Sequence, residues 1–198
     1  CFSDEEDIFS DVANPSFQYK NRYIITPLKS GLVLIDQNRA HIRILYDQYL
    51  SNIKLNKTAS QQVLFPEIVE FTPAEAALLP LLTEQIQWLG FDLSPMGNCC
   101  YSVNALPAGV QDRNPVELIK ELVNSAVDHD GKLEDGITEK LTLSLAKAAA
   151  IRPGKKLTVE EMESIVAALF SSESNNLTPD GKIIMFVLTD DELGKRFK

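Results

Sequence analysis

Apolar positions recur along the chain with two distinct periods, and the changes of period mark out its elements. The segment FQYKNRYIITPL is apolar and β-branched, and LVLID follows after Lys29-Ser30-Gly31. Two strands about a short Gly-containing turn, 17–28 and 31–36, are predicted. From Asn38 the period becomes helical, with Ile42, Leu45 and Tyr49 at i, i+3 and i+7 and Leu50 beside them. The pattern fades at Ser51-Asn52, so SNIKLNKTAS predicts a polar loop. A strand follows over 63–71. Thr72-Pro73-Ala74-Glu75 then starts a helix: Thr72 can cap, Pro73 loses nothing at the first position, and Glu75 closes a capping box. That helix runs to about Trp88 and ends at Gly90. FDLSPM and CCYSVNALP predict short strands, and 115–128 and 138–151 predict helices separated by the turn-rich DHDGKLEDG. Pro153-Gly154 ends the second of these, and Thr158-Val159-Glu160-Glu161 opens another capped helix to Phe170. SSESNNLTPDGK reads as a long loop. KIIMFVL, at 182–188, is apolar on both faces, as a strand covered on both sides would be. DDELGKRF reads as a final helical turn.

Strands at both ends with helices between them predict an α+β protein of two lobes. The natural cuts are the polar loop at 51–60 and the break at Pro153-Gly154-Lys155-Lys156. Residues 17–60 and 154–198 would then build one discontinuous lobe, with 61–153 inserted as the other. Residues 1–16, acidic and polar, read as linker.

Composition narrows the class. The 198 residues are 44% hydrophobic and 24% charged, an ordinary globular balance. No stretch approaches a membrane-spanning run, and the acidic N-terminus does not resemble a signal peptide. Cysteine is confined to Cys1, Cys99 and Cys100, an odd count with two adjacent, which points to a reducing compartment and a cytoplasmic setting. The abrupt start at Cys1 reads as an excised fragment of something longer. Nineteen basic and 28 acidic residues leave a net charge of −9, so the electrostatic footprint of an autonomous nucleic-acid binder is missing. Proteins are the expected partners.

Catalytic constellations are thin. Neither His41 nor His129 has a second ligand at metal spacing, and no Gly-rich phosphate loop, G-x-S-x-G or Cys-x-x-Cys occurs. Asp128-His129-Asp130-Gly131 lacks the ligand series of a calcium loop and reads as a surface turn. In a strand, Cys99 and Cys100 would point to opposite faces and serve as small packing residues. Arg152, Lys155 and Lys156 read as a solvated basic helix boundary, a DNA-facing patch being the alternative.

One segment is more specific. YIITPLKSGLVLIDQNRAHIRILYDQYL resembles the start of the C-terminal domain of the MutL family of DNA mismatch repair. QQVLFPEIVEFTPAEAALL, AKAAAIRPGKKLTVEEMESIVAALF and TPDGKIIMFVLTDDELGKRF resemble further blocks of that family, in the same order and spacing. The resemblance implies a homodimerisation and partner-docking domain that couples MutS to downstream repair factors. The lobe built from both chain ends would join two subunits, and the inserted lobe would be regulatory. It implies a polymerase sliding clamp as partner, with a helicase or strand-discrimination nuclease as further candidates. It places ATP and magnesium in an N-terminal domain outside this sequence, and the protein beside the bacterial nucleoid during repair.

Family members that nick DNA carry D-Q-H-A-x-x-E-x-x-x-x-E, whose residues bind metal. Here that stretch begins Asp36-Gln37-Asn38-Arg39-Ala40-His41-Ile42 and ends at Asp47, so a histidine has become Asn38 and a glutamate Ile42. The family block A-C-H/K-x-A-I-R carries Lys147 in place of cysteine, and C-P-H-G-R-P reads Thr178-Pro179-Asp180-Gly181-Lys182-Ile183. A zinc- or manganese-type site needs several convergent ligands. The resemblance is therefore to the non-endonuclease kind, with no catalytic residue and no metal. The alternative is a degenerate nicking endonuclease using Asp36, Asp47, Asp180 and His41 with manganese.

Gln61-Gln62-Val63-Leu64-Phe65-Pro66 resembles the family's Q-x-L-L-x-P sliding-clamp motif, Val63 standing in the first leucine place. A glutamine amide would bond backbone at a groove rim while Leu64 and Phe65 fill the groove. The plainer reading is strand entry, with Val63, Leu64 and Phe65 joining the core.

Overall fold

The computed structural model describes residues 16–110, 112–127 and 136–198. The predicted 1–16 linker, all but its last residue, and the Asp128-His129-Asp130-Gly131 turn lie outside the described residues. Among the described residues six helices and two antiparallel sheets make an α+β fold, in the order β1 (Phe17–Tyr19), β2 (Tyr23–Leu28), β3 (Gly31–Asp36), α1 (Gln37–Lys54), β4 (Ser60–Glu70), α2 (Pro73–Trp88), β5 (Asp92–Gly97), β6 (Cys100–Pro107), α3 (Pro115–Ser125), α4 (Ile137–Ala149), α5 (Val159–Phe170), β7 (Met185–Thr189) and α6 (Asp190–Arg196). The chain divides into two compact units, Cys1–Ile44 with Ala150–Lys198, and Leu45–Ala149.

The first unit carries a four-stranded sheet in the order β1-β2-β3-β7. Its inner face contributes Ile24, Val33 and Ile35, and α5 covers it with Met162, Ile165, Val166 and Leu169, all buried. Leu157 and Ile184 close this core. The 3.6-residue stripe of α5 and the period-2 alternation of β2 and β3 thus meet in one apolar layer. Thr158 caps α5 as expected, accepting the Glu161 N–H while Glu161 Oε2 accepts the Thr158 N–H at 2.8 Å.

The second unit holds a three-stranded sheet, β4-β6-β5, with α2, α3 and α4. Val69, Val103 and Ala105 from the sheet are buried, as are Leu79, Leu82 and Ile86 from α2 and Leu118, Leu122, Leu141 and Leu145 from α3 and α4. The capping box at Thr72 and Glu75 forms as read, and Asn114 caps α3 by accepting the Glu117 N–H at 2.9 Å.

Several expectations are corrected. The single strand over 17–28 is two strands, because Lys20 and Asn21 take left-handed φ of 52° and 50° and fold β1 back on β2. The supposed loop at 51–60 is mostly ordered: α1 continues to Lys54, Asn56 ends it with φ 52°, and β4 begins at Ser60. Cys99 sits in a turn rather than a strand, with φ 61°. The closing strand begins at Met185, not Lys182. It is an edge strand, with Phe186 57% and Val187 40% exposed, so the described residues do not cover it on both sides.

Candidate functional site

The register of the first sheet lines up its outer face. Phe17 stands opposite Ile25, Ile25 opposite Leu34, and Leu34 opposite Phe186, giving one apolar row across all four strands. Pro27, Leu32 and Leu188 form a second row beside it. Residues directly opposite share a face, so neither row contributes to the inner core. Phe17 is 54% and Phe186 57% exposed, and Ile25, Leu32, Leu34 and Leu188 are half-buried. Sequence reading missed these rows, because they depend on the left-handed 20–21 turn and on the pairing of distant β7 with β3, which hydrophobic alternation does not reveal.

Asp36, the last residue of β3, is buried and fully engaged. Its Oδ1 accepts the Asn38 and Arg39 N–H groups at 3.1 Å each, so it caps α1. Its Oδ2 lies 3.4 Å from Arg22 Nε and 3.9 Å from Arg39 Nε. A capping carboxylate also favours the positive end of the helix dipole. Gln37 is fully buried: Nε2 donates to Asn21 O at 2.9 Å and Lys155 O at 3.0 Å, and Oε1 accepts from Gln18 Nε2 at 2.6 Å. Gln18 Nε2 also reaches Lys155 O, at 2.8 Å, and its Oε1 accepts the Leu157 N–H at 3.2 Å.

Asn38 and His41 face Ile151. Asn38 Nδ2 donates to Ile151 O at 2.7 Å and His41 Nδ1 accepts the Ile151 N–H at 2.9 Å. His41 therefore stands as the neutral ring with its proton on Nε2, and burial, aided by the Lys155 ammonium, lowers its pKa below 6.5. Ile42 is buried.

Thr178, Asp180 and Lys182 form a closed turn. Thr178 Oγ1 donates to Asp180 Oδ1 at 2.6 Å and accepts the Lys182 N–H at 2.9 Å, and Lys182 Nζ lies 3.3 Å from Asp180 Oδ2. Asp47 and Lys147 belong to the other unit, Asp47 half-buried on α1 and Lys147 exposed in the last turn of α4. Among the described residues no three His, Cys, Asp or Glu side chains converge where they could hold a metal ion.

The 61–66 segment does not join the core. Gln62 pairs with Ala105 and Glu67 with Val103, so Val63, Leu64, Phe65 and Pro66 bulge out opposite Asn104 alone. Pro66 has no N–H to give the ladder, which makes the break cheap there. Leu64 is 91% and Phe65 83% exposed, while Val63 is half-buried. Gln61, Val63, Leu64 and Phe65 line a groove of about 610 Å³ together with Leu106 and Arg113. No helix among the described residues is long and apolar enough to cross a membrane.

An α+β chain with an open apolar sheet face and an extruded apolar bulge has the character of a binding module. Residues 16–157 match the MutL C terminal dimerisation domain family, and the chain belongs to that family. Among its relatives are proteins named DNA mismatch repair protein MutL. That of Parabacteroides distasonis is 58% identical over 99% of this chain and 32% of its own length. That of Phocaeicola vulgatus is 44% identical over 98% of this chain and 31% of its own, and that of Flavobacterium psychrophilum 30% identical over 99% and 32%. The chain thus spans about a third of the length of the curated relatives it matches.

Proposed function

We propose that this chain pairs two copies of a mismatch repair protein in the bacterial cytoplasm, through the outer face of the β1-β2-β3-β7 sheet. The observation that carries the reading is the Phe17–Ile25–Leu34–Phe186 row, apolar from one edge of the sheet to the other and left partly exposed by the described residues. Burying one exposed Phe side chain contributes about 1.5–3 kcal/mol, and a twofold contact would count each ring twice. The pair would hold together the remaining two-thirds of each relative-length protein, where ATP and magnesium would bind, and pass the MutS signal to downstream factors.

The second part of the reading is that Gln61–Pro66 docks the sliding clamp, supported by the exposure of Leu64 and Phe65. Among the described residues the donors of the endonuclease alternative are engaged elsewhere. Both oxygens of Asp36 are committed to α1 and two arginines, and Thr178 and Asp180 bond each other, so this donor set does not fit a metal centre.

Light scattering tests the pairing. At micromolar concentration the wild-type chain should run at twice 22.0 kDa. Leu34→Glu, which places a charge in the middle of the row, should run as a monomer. A monomeric wild type, or a Leu34→Glu variant as dimeric as wild type, would overturn the proposed face.

A further inference from the structure

Cys99 and Cys100 stand side by side at the tip of the β5–β6 hairpin, both half-buried and both free thiols. Cys99 holds the second place of the turn at φ 61°, where a residue with a Cβ is strained, and Cys100 opens β6. The Cys100 thiol turns back over the tip and donates to Asn98 O at 3.6 Å. The turn therefore breaks the alternation that would send adjacent side chains of a strand to opposite faces. We infer that this thiol pair is a reversible oxidation site, closing to a Cys99–Cys100 disulfide that moves the corner between β4 and α2.

The link to that corner is one hydrogen bond. Cys99 O accepts the Phe71 N–H at 2.9 Å. Phe71 is 3% exposed, meets the Tyr101 ring edge-on with centroids 5.7 Å apart, and directly precedes Thr72, the cap of α2. Cys100 is held on both sides, paired with Gly97 of β5 and Glu70 of β4. A disulfide between neighbours closes a small ring that contains the Cys99–Cys100 peptide. The carbonyl that holds Phe71 sits on that ring, so closure turns it and deprives the buried Phe71 N–H of its acceptor. Consecutive Cα atoms lie about 3.8 Å apart, short of the roughly 4.4–6.8 Å that disulfides span, so the bond is strained. Strained disulfides are the labile, regulatory kind, whereas structural ones resist reduction.

The oxidant is a peroxide. One thiolate attacks it and breaks the O–O bond; the sulfur becomes a sulfenic acid, and hydroxide leaves and takes up a proton. The second thiol attacks that sulfur, the S–S bond forms, and the S–OH oxygen leaves as water. Two thiols and one hydrogen peroxide thus give one disulfide and two waters, each sulfur having lost one electron.

Hydrogen peroxide in small excess over the Cys1→Ser chain, followed by alkylation and peptide mass mapping, tests the site. The expected product is the peptide holding residues 99 and 100, lighter by about two mass units, unalkylated, confined to one chain and restored by dithiothreitol. In that product the Phe71 amide should exchange its hydrogen roughly tenfold faster than in the reduced chain, or more. Cys100→Ser, which keeps Cys99 at the tip, should show neither change under the same peroxide. The proposal is overturned if the two sulfurs go to separate sulfinic acids, cross-link chains instead, or stay reduced. A closed ring with Phe71 exchange as slow as before would overturn it too, as would the same acceleration in peroxide-treated Cys100→Ser.

Discussion

Asn38 and His41, neighbours on α1, hold one peptide from both of its polar ends: Asn38 Nδ2 reaches Ile151 O at 2.7 Å, and His41 Nδ1 takes the Ile151 N–H at 2.9 Å. Asn38, at the histidine place of the metal-binding motif that the sequence resembles, here fastens backbone, and His41 one turn on does the same. Only the unprotonated ring can accept that N–H.

The grip should therefore weaken in acid. Burial, and next to it the Lys155 ammonium, holds the His41 pKa below 6.5. Between that lowered value and 6.5 the unfolded chain binds more protons than the folded one, so stability rises with pH across this window. The contribution is complete above 6.5 and is lost as pH falls through the folded pKa. His41→Ala should cost about 1–3 kcal/mol at neutral pH. It should also flatten the fall of the urea midpoint on acidification. Parallel pH profiles for variant and wild type would remove His41 as the cause.

Gly31 opens β3 with φ 146°, and a Cβ there would stand 2.1 Å from Leu188 O and 2.8 Å from Thr189 Cα. Both contacts are backbone, so neither can swing aside. Gly31→Ala should cost about 2–4 kcal/mol by strain and by forcing β7 off β3. Because β7 carries Phe186 and Leu188, the same variant should lose dimer in light scattering. A normal melting temperature with dimer retained would contradict the register.

The helices were legible because their signals are local. Thr72, Thr158 and the stripes of α2 and α5 fix starts and faces without reference to the rest of the chain. What could not be read was decided by backbone torsion or distant pairing. Nothing in a β-branched run announces that Lys20 and Asn21 turn left-handed, and the apolar KIIMFVL gives no sign that one flank of β7 is left open. At the site, the departures at Asn38, Ile42 and Lys147 were visible as letters. That Asp36 persists as a helix cap, and Asn38 and His41 as anchors for Ile151, depended on partners more than 100 positions away for the latter two.

Asn98 and Cys99, with φ of 52° and 61°, make a two-residue turn joining Gly97 and Cys100, which pair across β5 and β6. Such a turn favours Asn followed by Gly, and only the second place is filled by a residue that resists left-handed geometry. Cys99→Gly should raise stability by about 0.5–1 kcal/mol, the relieved strain exceeding the extra freedom of the unfolded chain. Chemical denaturation of the two proteins under reducing conditions measures it. A loss of stability would mean that the half-buried Cys99 side chain packs for more than its backbone strain costs.

Leu64 and Phe65 separate a folding role from a docking one. Both are almost wholly exposed on the β4 bulge, so truncating them removes little buried surface. Leu64→Ala/Phe65→Ala should leave the melting free energy within about 0.5 kcal/mol of wild type. In a partner's groove the same side chains would be central anchors, each costing about 2 kcal/mol or more on truncation, so the double variant should lose the sliding clamp in surface-plasmon titration. Gln61→Ala should weaken clamp binding more modestly, as one amide contact at the rim. A double variant that melts early would show that the bulge folds inward in solution. One that binds the clamp as tightly as wild type would leave Gln61–Pro66 an irregular strand and nothing more.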